Sequence, residues 1–184
     1  IFGISLGGMI AQLIAVNFPE RVNCLFSVMS SSGAPGLPTA APEVREKMLE
    51  KASGREAIIA LDASNRELFG SPGYPETYEQ RLAMATRAYD RCYYPEGVAR
   101  QMEAAIGDGS RVERLKRITA PTLVIHGAHD NLLPPECGED TAQRIPGAEL
   151  ELIPGMGHNI PDSLAPEMAT LVTSFITRHS GSVR

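Results

Sequence analysis

Gly3-Ile4-Ser5-Leu6-Gly7-Gly8 stands at the start of the 184-residue chain. The spacing G-x-S-x-G reads as a sharp turn from strand into helix with a serine at its tip, a nucleophile elbow. Met9, Ile10, Leu13 and Ile14 follow at helical spacing, so a helix begins directly after Ser5. The first amides of that helix point back at the turn and favour negative charge developing there. The N–H of Leu6, the residue after the serine, is the candidate oxyanion donor. Gly7 and Gly8 read as positions that let the backbone turn tightly and pack closely. Only Ile1 and Phe2 precede the motif where a whole strand is expected, so the reading expects further chain upstream. A motif of this kind arises by chance in a chain of this length about one time in twenty. The elbow therefore carries weight only together with a base and an acid.

Outward from the elbow, Phe18-Pro19 ends the first helix, because the residue before proline avoids helical angles. Residues 22–29 form an apolar run of strand length without strict alternation, as expected of a strand buried on both faces. Residues 30–41 are rich in Ser, Gly and Pro and read as a loop. From Pro42 to Ile118 the pattern is helical, with breaks at Gly70-Ser71-Pro72-Gly73 and before Pro95. Strand character returns at 122–126 and again at 148–153, with a helix over 134–145 between them and a last helix over 163–178. Residues 180–184 read as a frayed tail. Alternation of strands and helices predicts an α/β fold with a parallel sheet and helical crossovers. The expected organisation is a core over 1–41, a helical cap over 42–118 and the rest of the core over 119–184.

Serine is a weak nucleophile until a base takes its proton, and that base needs a carboxylate to orient it. Asp130 follows the strand 122–126 in Gly127-Ala128-His129-Asp130, at the end of a strand where parallel sheets place their functional groups. Leu132, Leu133 and Pro134 around it would exclude water. Asp140, Glu136 and Glu151 sit in a solvated helix or within a strand and are poorer choices. His158 closes Pro154-Gly155-Met156-Gly157-His158, again just past a strand, with two glycines that let the side chain reach inward. The chain order is nucleophile Ser5, acid Asp130, base His158. His126 at a strand end reads as structural and His129 as a turn residue. Their run from strand into turn does not suit a metal site, so no metal or cofactor is expected. Met48, Phe69, Met84, Tyr93 and Tyr94 in the helical segment are candidates for an apolar substrate pocket.

The bulk numbers limit the partners. Seventeen basic and 22 acidic residues leave a net charge of −5, which disfavours nucleic acid and anionic membrane. No apolar run is long enough to span a bilayer. Three widely spaced cysteines, Cys24, Cys92 and Cys137, suit reduced buried thiols rather than a disulfide framework, and lean towards a cytoplasmic setting. Oligomeric state is left open.

Taken together these residues resemble the α/β-hydrolase superfamily. The resemblance rests on Gly3 to Gly8 with Phe18-Pro19-Glu20-Arg21-Val22. It continues in Ala120-Pro121-Thr122-Leu123-Val124-Ile125-His126-Gly127 with Asp130 and Pro134, and in Ile145-Pro146-Gly147-Ala148 through His158. Residues 30–33 and the Gly-Met-Gly-His loop are similar to capped carboxylesterases of the aclacinomycin methylesterase type. The resemblance implies an eight-stranded sheet of which this chain holds the last three strands. It also implies a second oxyanion donor from a loop upstream, so that the chain alone would be nearly inert. The expected function is a serine hydrolase cleaving carboxylic esters of small or medium molecules through an acyl-enzyme. The alternatives are carbon–carbon, lactone or thioester hydrolysis or perhydrolysis by the same three residues, or a ligand-binding receptor on the same fold. Serine at the elbow argues against dehalogenase and epoxide hydrolase chemistry, where the family places aspartate.

Overall fold

The computed structural model describes residues 1–179; the tail expected over 180–184 lies outside the described residues. Four parallel strands lie side by side in chain order: β1 (Phe2–Ile4), β2 (Leu25–Val28), β3 (Thr122–Gly127) and β4 (Glu149–Ile153). The strand count corrects the expectation of three. Two residues ahead of the elbow suffice because pairing needs main-chain groups only. Phe2 pairs with Phe26 and Ile4 with Val28, and the ladder is closed at its ends by Phe26 N–H to Ile1 O (2.9 Å) and Ser5 N–H to Val28 O (2.9 Å).

Helices join the strands. α1 (Leu6–Asn17) connects β1 to β2 and stops where expected, with the Phe18 N–H bonded to Ile14 O and a single 3-10 turn at Pro19–Arg21. Between β2 and β3 lie α2 (Pro42–Leu49), α3 (Arg55–Leu68), α4 (Tyr78–Arg91), α5 (Pro95–Asp108) and the short α6 (Val112–Leu115). α4 starts with a capping box, the Thr77 hydroxyl accepting from Gln80 N–H while the Gln80 side chain accepts from Thr77 N–H. α7 (Pro135–Arg144) connects β3 to β4, and α8 (Ala165–His179) follows β4.

Alternation along the strands divides the core into two layers. Phe26 and Val28 of β2 and Leu123 and Ile125 of β3 cluster with Met168 and Phe175 of α8 and with Leu164 just before it. The Phe175 ring meets Phe26 edge-on at 5.5 Å. On the other face Leu25 packs with Ala11 and Ala15 of α1, Leu115 of α6, Ile118 and Ile145. α1 buries Gly8, Ala11, Gln12 and Ala15 rather than its larger side chains, and Ile10 is exposed. Small residues let the helix lie close on the sheet, while Met9, Ile10 and Leu13 turn towards α5. α3 and α4 form a small core of their own around Ile59, Ala63 and Ala85.

A buried polar network braces the loop after β2. Arg111 is 2% exposed. It donates to Gln12 Oε1 (3.1 Å), Ser31 O (2.9 Å) and Asp108 Oδ2 (2.7 Å). Gln12 in turn donates to Ser27 Oγ at 3.0 Å. Pairing a buried guanidinium on every side offsets the cost of removing it from water. Among the described residues no helix is long and apolar enough to cross a membrane. The three cysteines are free; Cys24 and Cys137 are buried, and burial pushes their thiols up. Cys92, at the C-cap of α4, is exposed, contrary to the expectation of buried thiols.

Candidate active site

Parallel strands end on the same side of a sheet, and three loops leave that edge close together. Ser5 follows Ile4, Asp130 lies three residues beyond Gly127, and His158 lies five beyond Ile153. Because Gly127 pairs with Ile153, the loops that carry Asp130 and His158 start in register. Residues 153 apart in the chain thereby meet: His158 Nε2 lies 3.0 Å from Ser5 Oγ. On its other side His158 Nδ1 lies 2.7 Å from Asp130 Oδ2. The Asp130 side chain is fully enclosed, and that of His158 is 9% exposed.

Ser5 sits at φ 54°, ψ −120°, a left-handed conformation unusual for a residue with a side chain. Such strain survives where surrounding contacts over-determine it. Here the Ser5 N–H is held by Val28 O, and the Ser5 carbonyl accepts from Gly8 N–H and from Ser30 Oγ at 2.8 Å. A Cβ on Gly3 would run into Gly7 and Ala11, and one on Gly8 into the Ser30 side chain. Gly7, by contrast, has open space around it. Close packing therefore makes its demand at Gly3, where α1 lies on β1, and at Gly8, where α1 meets the loop after β2, not at Gly7. Leu6 opens α1, so its N–H is one of those that helix geometry leaves without an intrahelical acceptor.

Asp130 is fixed from several directions. Its Oδ1 accepts from Leu132 N–H and Leu133 N–H, both at 2.9 Å. Its Oδ2 faces His158, and His126 Nε2 lies 3.4 Å away. Burial acts to raise the Asp130 carboxyl. The hydrogen bonds from His126 and His158, the charge of His158 and the Leu133 amide outweigh it and bring the value from 3.8 down to about 2. A depressed carboxylate stabilises the fold above its unfolded pKa and loses that contribution as pH falls through the folded one. From these values Asp130 contributes about 2 kcal/mol above pH ~4, lost towards pH ~2. Urea unfolding at pH 5 and pH 2 should show the wild type losing about that much more stability than Asp130→Asn. Parallel losses would contradict it.

His126 is the residue at the site that strand-end reasoning set aside. It is fully buried, Nε2 contacts Leu133 O at 2.8 Å, and Gly138 lies so close to the ring that a Cβ there would not fit. Its Nδ1 is buried without a hydrogen-bond partner, which fits a neutral ring with its proton on Nε2. A histidine four residues before the acid, on an otherwise apolar strand, was the available signal. Of the other carboxylates considered, Asp140 is engaged elsewhere: it accepts from Ser32 Oγ and pairs with Arg144 at 2.9 Å.

The five pocket candidates lie in different places. Tyr93 and Tyr94, both about half exposed, line a groove of about 660 Å³ with Ile58, Tyr89 and Val98, walled by α3, α4 and α5; none of Ser5, Asp130 or His158 is in its wall. Tyr93 stacks on Tyr89 at 4.6 Å. Met84 lines a second groove with Pro75 and Pro161, and Met48 is exposed on α2. Phe69 alone of the five meets the site through a hydrogen bond, and by its main chain: its carbonyl accepts from His158 N–H at 2.8 Å.

Comparison with known proteins gives the family to which this parallel sheet and its crossover helices belong. The family model described as the alpha/beta hydrolase fold matches residues 1–163. The chain belongs to the alpha/beta hydrolase family. The chain is 26% identical over 193 residues to rhodomycin D methylesterase DnrP of Streptomyces peucetius, covering 94% of the chain and 64% of that protein. It is 27% identical over 177 residues to 2-hydroxymuconate semialdehyde hydrolase of Pseudomonas putida, covering 96% and 61%. Among solved structures, a meta-cleavage product hydrolase of Pseudomonas fluorescens IP01 shares the fold, with TM-score 0.72 and 19% identity over 97% of this chain and 64% of that one. The chain thus spans somewhat less than two thirds of the length of these relatives.

Proposed function

We propose that the chain carries the nucleophile, base and acid of a serine hydrolase that cleaves carboxylic esters of small or medium molecules. The observation that supports this most is the unbroken line of contacts from Ser5 Oγ through His158 to the enclosed Asp130. In this reading Ser5 Oγ attacks the ester carbonyl carbon as His158 Nε2 takes its proton. The Leu6 N–H donates to the oxyanion that forms. When the carbon–oxygen bond of the tetrahedral adduct breaks, His158 returns the proton to the departing alcohol. Water then attacks the acyl-Ser5 ester, His158 removing its proton and passing it back to Ser5. Asp130 accepts from His158 Nδ1–H throughout and stabilises the imidazolium.

The segment 42–118 is read as a cap over the site, resting on the core through α6 and through the turn between α3 and α4. Met48, Phe69, Met84, Tyr93 and Tyr94 remain its proposed contacts with substrate, Phe69 being the one held next to the base. The same three residues suit carbon–carbon bond hydrolysis, which the relation to a semialdehyde hydrolase keeps as a second reading.

The test is a fluorophosphonate probe applied to the protein expressed from its complete coding sequence. Mass spectrometry is expected to place the adduct on Ser5, with turnover of p-nitrophenyl esters abolished in step with labelling. An adduct elsewhere, or none, would sink the proposal. Labelling of Ser5 without turnover of any ester would favour the second reading or a ligand-binding role.

A further inference from the structure

His158 sits on a loop with glycine on both sides of Met156, and Gly155 has φ 74°. Such a backbone has many conformations open to it. A general base, however, works only within about 3 Å of its proton donor, and a small displacement is costly. Something outside the loop must hold it. The structure supplies this from the turn between α3 and α4.

Three consecutive residues of the base loop are bonded to that turn. Ser71 Oγ accepts from Gly157 N–H at 2.9 Å. Phe69 O accepts from His158 N–H at 2.8 Å. Ser71 Oγ donates to Asn159 Oδ1, and Asn159 Nδ2 donates to Glu76 Oε2 at 2.9 Å. The two segments also pack backbone to backbone. Gly73 N–H donates to Gly155 O at 2.9 Å, and Gly157 lies so close to the Gly70 carbonyl that a Cβ would not fit. The same turn reaches the acid loop, where Asn131 Nδ2, beside Asp130, donates to Leu68 O at 2.7 Å.

We infer that this turn is a latch that sets the base, and that Ser71 is its positioning residue. The inference rests on the serine-hydrolase reading above. Ser71 is 4% exposed, and its hydroxyl contacts go to the two neighbours of His158. Through Gly157 on one side and Asn159 on the other it fixes the height and tilt of the residue between them. Without its oxygen the buried Gly157 amide loses its acceptor, a loss the loop relieves by moving. Ser71 acts through the loop, so its effect falls on the chemical step and not on substrate affinity.

Ser71→Ala in the protein expressed from its complete coding sequence is expected to speed hydrogen exchange at the Gly157 and His158 amides at least tenfold. It is expected to lower kcat for p-nitrophenyl acetate about tenfold while KM stays within twofold. Asn159→Ala, which removes the other end of the Ser71 contact, should lower kcat in the same way. Unchanged exchange in Ser71→Ala, or faster exchange with unchanged kcat, would overturn the latch. A rise in KM with kcat preserved would overturn it as well. Failure of wild-type Ser5 to take a fluorophosphonate would overturn the hydrolase reading and the catalytic meaning of the latch together. The exchange data do not depend on any chemistry, so they separate that failure from failure of the latch alone.

Discussion

Ser5→Ala is expected to lower kcat for ester hydrolysis by about 10⁶-fold, the loss seen when a serine nucleophile is removed from a working triad. The size of the effect follows from the geometry. His158 has its Nε2 aimed at one oxygen, Ser5 Oγ, and deleting that oxygen leaves the base with nothing to activate. The fold should survive the change. The elbow is held by main-chain bonds of Ser5 to Val28, Gly8 and Ser30, none of which uses the deleted hydroxyl. Alanine carries the same Cβ, so the strain at φ 54° is unchanged. The measurement is single-turnover and steady-state hydrolysis of p-nitrophenyl esters, with a thermal midpoint to verify folding. A folded variant that keeps more than a small fraction of its activity would remove Ser5 from the mechanism.

The second large effect is expected at Asp130. Asp130→Asn should cost about 10⁴ in kcat, as loss of the orienting carboxylate does elsewhere. This structure also says why the amide would be so damaging. Two amides, Leu132 N–H and Leu133 N–H, point at Oδ1. An asparagine would turn its carbonyl to them, which aims its NH₂ at His158 Nδ1. That nitrogen must then accept, so the proton of the neutral ring moves to Nε2. An Nε2–H facing Ser5 can donate to the hydroxyl but cannot take its proton. The same NH₂ would face His126 Nε2, whose bond to Leu133 O marks it as a proton carrier too. Fluorophosphonate labelling of Ser5 should slow along with kcat, because both need the same proton transfer. Labelling at the wild-type rate would show that the carboxylate does not govern the base.

Much of the architecture was legible in short-range signals. Proline stands at the start of α2, α5 and α7, where its missing N–H costs nothing. Between the breaks expected at Gly70-Ser71-Pro72-Gly73 and before Pro95 runs the helix Tyr78–Arg91, and the strand read over 122–126 runs Thr122–Gly127. Alternating strands and helices implied a parallel sheet, and a parallel sheet implied that Ser5, Asp130 and His158 leave it at one edge. β1 was missed because three residues are too few for any pattern to register. The buried face of α1 was missed because hydrophobic size was the only guide, and the helix packs by its smallest residues instead.

The order of elements, the turn chemistry and the placing of three reactive side chains just past strand ends were determined by the sequence alone, since each depends on neighbours a few residues away. Pairing partners were not. That His126 lies under the acid, that Arg111 reaches back 99 residues to Gln12, and that Ser71 grips a loop 86 residues later were decided by the tertiary structure. Such contacts follow from strand register and from how closely layers approach, and these emerge only when distant segments compete for the same buried space.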